Sequence, residues 1–349
     1  MKHITLAHGA GGVVMQGLIK DKMLKYLDHR SDIQIPLSAL DDSAVIDDIA
    51  FTIDSHTIKP LFFPGGDIGS LAVSGTINDI SVMGARPIAL SSAFVIEEGF
   101  LLNDLEKILG SMQKTSVQAD VPIITGDTKV VEHGAIDKMV ITTSAIGKRT
   151  ESLEENLREA KKYRELNERW IKDSNLREGD KIIVSGSIGD HGISLLSFRE
   201  GYGFESEVKS DVAPLNSMIG EAMKVGGIVS MKDPTRGGLS NTLNELSEKS
   251  DVGILIEEEK IKVKEAVRSA CEMLGMDALE IGNEGKAVIG VVFEKAEEVL
   301  EALRKTKEGK DAEIIGVATN KIKGVAMETI VGGKRIVEAP MGDPVPRIC

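Results

Sequence analysis

The sequence predicts an α/β (α+β) protein of two domains, each with a mixed sheet and its own covering helices, and three observations predict it. The length of 349 residues exceeds one ordinary core. In both halves, apolar runs of strand length alternate with stretches of helical periodicity. Between the halves lies a segment dense in Glu, Lys and Arg, residues 150–177.

Residues 1–35 open with the glycine-rich loop His8-Gly9-Ala10-Gly11-Gly12, and Val14, Leu18, Leu24 and Leu27 follow at helical spacing. Residues 36–149 form the first domain, with strands expected near 50–53, 87–96, 122–124 and 139–146 and helices near 68–83 and 101–118. In residues 150–177 the charge is broken by sparse apolar members such as Leu153, Leu157, Tyr163 and Leu166, so the stretch reads as a solvated helix or linker. Residues 178–338 repeat the alternation, with strands near 181–184, 253–256, 287–293 and 313–318. Their helices fall near 214–225, 238–249, 263–274 and 296–305. Residues 339–349 hold three prolines and cannot be helical, which predicts an extended, mobile tail.

A net charge of −13 with 3% aromatic residues disfavours nucleic acid and anionic membrane as partners, since both require a basic footprint. No apolar run approaches the roughly 18 residues of a membrane span, and the first ten residues lack a signal-peptide profile, so a cytoplasmic protein is expected. Only Cys271 and Cys349 occur, which gives neither a disulfide framework nor a zinc set. His3, His8, His29, His56 and His133 show no ligand spacing either.

Acidic residues recur near the predicted element ends of the first domain: Asp42 after Asp41, Asp54, Asp79, and Asp127 followed by Thr128 and Lys129. Element ends of an α/β sheet converge on one crevice, where dispersed carboxylates suit magnesium around a triphosphate. Taken singly, each aspartate can equally cap a helix or turn a loop. Gly65-Gly66-Asp67 is a glycine turn entering a helix, which can receive phosphate on free N–H groups but lacks P-loop spacing. Lys129 could neutralise phosphate, or be a surface lysine.

In the second half, residues 189–192, 233–239 and 282–286 are polar, Gly-bordered turns. Arg236 could hold a phosphate bidentately, Glu284 could serve as a base if burial raises its pKa, and His191 could act there or merely pack. Cys271 lies on an apolar helix face with Val267, Ala270 and Leu274, which reads as core. Cys349, on a Pro-stiffened arm beside Arg347, reads as a reactive thiol able to fold back into its own site or reach another molecule's.

These strings together resemble the HypE family of hydrogenase maturation proteins, the carbamoyl dehydratases, within the superfamily typified by aminoimidazole ribonucleotide synthetase. The resemblance runs nearly end to end, through HGAGG, DDSAVI, TIDSHTIKPLFFPGGDIG, INDISVMGARP, ITGDTKVV, GDHGISLL, KDPTRGGL, GNEGK and PRIC. It implies a homodimer whose first domains build a shared β-barrel, with ATP and Mg2+ bound near the interface. It marks Asp42, Asp54, Asp79 and Asp127 as Mg-ATP carboxylates and Lys129 as the lysine beside the triphosphate. Gly65, Gly66, Thr128 and Arg236 fall to nucleotide binding, and Glu284 and His191 lie near the reacting group. Cys349 is the acceptor, loaded with a carbamoyl group by HypF, dehydrated to a thiocyanate, and unloaded as cyanide to iron on the HypC–HypD complex.

The connection 150–173 is longer than the family's usual one, and Ala278 stands where proline is expected. Two other readings stand beside this one: a kinase of the same fold acting on a free small molecule, of the thiamine monophosphate kinase or selenophosphate synthase type, and a nucleotide-regulated binding module that docks through its tail.

Overall fold

The computed structural model describes the chain except residues 1–2, 29–31, 202–207 and 343. Strands of the first half are β1 (Ala44–Ile46), β2 (Ile49–His56), β3 (Phe62–Phe63), β4 (Gly66–Asp67), β5 (Arg86–Glu97), β6 (Ile123–Val131) and β7 (Met139–Lys148). Alternation builds them: every second residue of β7 is buried, Met139, Ile141 and Ala145 among them. The sheet order is β1-β2-β7-β5-β6, with β5 and β6 parallel and the other pairs antiparallel, while β3 and β4 pair separately. This sheet is open among the described residues, not a barrel closed within one chain. β6 is an edge strand, exposed from 123 to 130, and β2 turns Ile49, Phe51 and Ile53 to the outside.

Helices of this half are α1 (Gly12–Leu18), which runs through a wide turn at Ile19–Met23 into α2 (Leu24–Leu27), then α3 (Ile68–Val82) and α4 (Leu102–Ala119). The second half adds β8 (Lys181–Val184), β9 (Ile228–Lys232), β10 (Gly253–Glu257), β11 (Val288–Val291), β12 (Glu313–Thr319), β13 (Val325–Glu328) and β14 (Lys334–Val337). Their order is β14-β13-β10-β12-β8-β11-β9, mixed because β10 and β13 are parallel. Its helices are α5 (Glu151–Ala160), α6 (Asp190–Glu200), α7 (Asn216–Met223), α8 (Gly238–Ser250), α9 (Glu265–Leu274) and α10 (Ala296–Arg304). α10 buries Ala296, Val299, Leu300 and Leu303, the spacing of one helix face.

Helix α3 is buried nearly all round because it touches β2, β7 and α4 on one side and α7 and β9 on the other. It therefore ties the two sheets into one core. Asp67 caps its start, accepting from Gly69 N (2.8 Å) and Ser70 N (2.9 Å).

Two expectations are corrected here. Residues 150–177 are not a solvated linker: Leu153, Leu157, Ala160, Trp170, Ile171 and Leu176 are core, and the Asn156 side chain bonds both Ile228 O (2.7 Å) and Ile228 N (2.9 Å). On α5 the apolar residues fall on one face, and the buried amides are satisfied by backbone, which composition does not reveal. Residues 339–349 are not a free arm either. Val345 and Ile348 are fully buried, Thr57 N donates to Cys349 O (3.1 Å), and Lys59 N donates to Arg347 O (3.2 Å). Proline forbids helix, but it leaves an extended segment free to borrow donors from a neighbouring chain. Ala278 leaves its turn intact, because Asp277 Oδ1 accepts from Leu279 N at 3.0 Å.

Candidate active site

The alternation of β2 turns Thr52, Asp54 and His56 to the same side as buried Ala50, toward α3. On α3, Gly75 and Asp79 lie one turn apart on one face. A Cβ on Gly75 would lie 3.4 Å from His56 Nε2, 3.9 Å from Glu284 Oε2 and 4.0 Å from Asp54 Oδ2, so three polar groups, two from β2 and one from the loop before β11, converge over this glycine. Thr52 Oγ1 sits 2.7 Å from Asp79 Oδ2 and 3.1 Å from the Asp42 carbonyl. These residues, with Asp233, Arg236 and Cys349, line one cavity of about 530 Å³ between the sheets. That is room for a ligand of cofactor size.

Electrostatics sharpen the picture. Burial pushes the carboxyl groups of Asp42, Asp79 and Glu284 well above their ordinary range. The charges of Asp54, Asp233 and Asp42 add to the effect at Asp79, and those of Asp233, Asp211 and Asp54 at Glu284. Burial also lifts Asp41 and Asp233 to about 6. Arg236 gains most from the charge of Cys349, ahead of the opposing effect of burial, and then from Asp54 and Glu284, and its pKa rises. Glu284 Oε1 and Asp42 Oδ2 are buried and make no hydrogen bond.

A polar network borders the same cavity. Lys232 Nζ lies 2.5 Å from Asp42 Oδ1, 3.2 Å from Asp173 Oδ2 and 3.4 Å from Glu245 Oε2. Lys249 Nζ reaches Asp173 at 2.7 Å and Asp41 at 3.4 Å. Burial disfavours the charge on Asp173, but the two lysines outweigh it and hold the carboxylate ionised. Sequence reasoning missed Lys232, Lys249, Asp173, Glu245 and His56. Lys232 had left a signal: a lysine at the end of an all-buried strand requires a partner.

The structure brings Asp42, Asp54, Asp79, Arg236, Glu284 and Cys349 together, and it leaves other expected residues apart. Asp127, Thr128 and Lys129 sit on the exposed edge β6, where Lys129 Nζ pairs with Asp127 Oδ2 at 3.0 Å. Gly65 and Gly66 pack against residues 209–212, and the α3 amides behind them are already bonded to Asp67, so the turn is no free phosphate cradle. His191 lies beneath the tail, its ring nitrogens 2.7 Å from Ile348 O and from Ser210 Oγ.

Magnesium fits this donor set. Among the described residues no three metal-binding side chains are gathered ready-made. An ion that keeps water and takes phosphate oxygens requires only one or two carboxylates, such as the unpartnered Asp42 Oδ2 beside Asp79 and Asp54.

Residues 40–148 match the AIR synthase related protein N-terminal domain family, and residues 177–327 match its C-terminal domain family. A Methanocaldococcus jannaschii protein named for hydrogenase expression/formation is 53% identical over 99% of each chain. The carbamoyl dehydratase HypE of Azotobacter vinelandii is 43% identical over 99% of this chain and 97% of its own. Among solved structures, a HypE–HypF complex is similar at a TM-score of 0.83 and 45% identity, covering 93% of this chain and 99% of that one. HypE in complex with ATP is similar at 0.79 and 40%, covering 99% and 100%. The chain belongs to the HypE family of carbamoyl dehydratases. The thiamine monophosphate kinase of Aquifex aeolicus, at 18% identity and a TM-score of 0.64 over 93% of this chain and 99% of its own, shares the fold alone. No helix among the described residues is long and apolar enough to cross a membrane.

Proposed function

We propose that this chain is an ATP-dependent dehydratase that converts a carbamoyl group on Cys349 Sγ into a thiocyanate, the cyanide source for the iron of a NiFe hydrogenase. The observation that carries this reading is the docking of Cys349 into the same cavity as Asp54, Asp79, Arg236 and Glu284. ATP binding and loading by HypF are supported by the ATP-bound and HypF-bound relatives. Delivery to HypC–HypD is what the family resemblance implies. A kinase acting on a free small molecule has no need of a cysteine docked on its own tail.

An amide oxygen leaves poorly, and ATP supplies the phosphoryl group that makes it leave as phosphate. The nitrogen then has two protons to lose as C≡N forms. Glu284, once positive charge entering the cavity favours its ionised form, takes one of them, and the other passes to solvent. Arg236 steadies negative charge beside Cys349, and Asp42, Asp54 and Asp79 are the residues that would hold Mg2+, which would supply countercharge for the phosphoryl group. Lys232 keeps Asp42 in place meanwhile.

Cation and proton compete for these carboxyl groups. The folded chain holds protons on Asp41, Asp233, Asp42, Asp79 and Glu284 more tightly than the unfolded chain does. Their contribution to stability therefore falls as pH rises from the ordinary carboxylate range through about 6. Mg2+ binds the ionised forms and should reverse the loss, so the Tm gain on adding it should be several degrees larger at about pH 7.5 than at about pH 5. Equal gains in scanning calorimetry at both values would remove these groups from metal binding.

The exposed β6 edge and the apolar outer face of β2 suit a second copy of this chain, whose Asp127, Thr128 and Lys129 would then reach the phosphates in trans. Light scattering at micromolar concentration should give a dimer. Lys129→Ala should leave Cys349 loaded but slow dehydration about a hundredfold. A clean monomer that still turns over would sink this assembly.

A further inference from the structure

The tail is held at two levels. At the inner one, His191 Nε2 lies 2.7 Å from Ile348 O. A carbonyl only accepts, so Nε2 carries the proton. Nδ1, 2.7 Å from Ser210 Oγ, therefore accepts, and Ser210 Oγ in turn accepts from Val212 N at 3.1 Å. The ring is fully buried and meets Phe63 edge-on at 5.5 Å. Burial lowers its pKa, which keeps it neutral, and both nitrogens are committed. Above it, Ile348 occupies the space left by Gly282, where a Cβ would stand 2.3 Å from Ile348 Cδ1.

At the outer level, Arg347 has a φ of +57°, a left-handed turn that redirects the chain inward. Its Nε donates to Thr57 O at 2.8 Å, and its Nη1 pairs at 2.7 Å with Asp137, which also holds Lys59 at 3.2 Å. Arg199 Nη1 donates to Pro346 O at 2.8 Å. This outer set is partly exposed, so water competes for it.

We propose that His191 and Arg347 are positioning residues for Cys349: His191 is an inner strut that fixes where the thiol sits, and Arg347 is an outer clamp that sets how often it leaves. The proposal rests on the reading of Cys349 as the carbamoyl carrier. It separates two demands on one segment, since chemistry needs the sulfur fixed while loading and delivery need it released. It also takes His191 out of proton transfer.

The test is the rate at which iodoacetamide alkylates Cys349, mapped by mass spectrometry on the full chain without ATP or carbamoyl donor. Arg347→Gly keeps the left-handed turn and removes the clamp, and labelling should rise roughly 5- to 20-fold. Arg347→Lys should restore most of the protection. His191→Phe keeps the ring but not the donor: labelling should rise by a similar factor, and dehydration of preloaded chains should slow at least about tenfold. His191→Gln, which returns a donor, should recover both.

If His191→Phe labels at the wild-type rate yet fails to dehydrate, His191 belongs to the chemistry and the strut is wrong. If Gln and Phe behave alike in both assays, the hydrogen bond is not what His191 supplies. Should the Phe variant not fold, unchanged labelling of Arg347→Gly alone overturns the clamp. Because labelling requires no turnover, a failure of the dehydratase reading would show separately, as a wild-type chain that never forms thiocyanate.

Discussion

Cys349→Ala should take up no carbamoyl group at all, while binding Mg-ATP within about twofold of the parent affinity. Its sulfur is the acceptor, whereas the carboxylates lining the rest of the cavity belong to β2, α3, α8 and the loops before β1, after β9 and before β11. Two measurements decide it. Mass spectrometry of the peptide carrying residue 349, after incubation with HypF, ATP and a carbamoyl donor, should show no adduct in the variant; calorimetry should show the nucleotide bound normally. A variant that still forms thiocyanate would place the carrier elsewhere and end the proposed mechanism.

The second large effect is expected from Glu284→Gln. Its carboxyl is buried over Gly75, with Oε1 making no hydrogen bond, and burial together with neighbouring aspartates favours its protonated form. Gln reproduces the shape of that neutral form, so folding should hardly change. What Gln cannot do is accept a proton. Dehydration should fall by roughly 10²- to 10⁴-fold, with the carbamoyl form of Cys349 accumulating behind the block. Single-turnover assays on preloaded protein separate this from a loading defect, and a rate within threefold of the parent would assign the base elsewhere.

Much of this was legible from local pattern. Strand β2, helix α4, and the later helices α9 and α10 follow from periodicity alone, because each turns one regular face to the core. Asp42, Asp54 and Asp79 were legible as a set because aspartate near element ends tends to gather at a crevice. Asp173 was not. It sits in a stretch whose charge suggests solvent, and only the return of β9 and α8 brings Lys232 and Lys249 to it. The docked tail was hidden for a related reason: proline content reports what the backbone cannot do, not what Gly282 and Thr57 offer it. Asp127 and Lys129 were grouped with the other site residues by motif, yet the chain leaves them on an exposed edge strand, since a motif carries no information about where the sheet order places it.

The space at Gly282 that admits Ile348 has a kinetic consequence. A reactant tethered on a short segment with its own seat meets the active groups at an effective concentration fixed by geometry, on the order of millimolar or above. Dilution cannot lower it. Dehydration within a loaded chain should therefore be first order and indifferent to how scarce the enzyme is, while any free thiocarbamate in solution would compete against its own dilution and lose. An enzyme built in this way has no saturation curve for its carbamoyl substrate, only a probability that the tail is home.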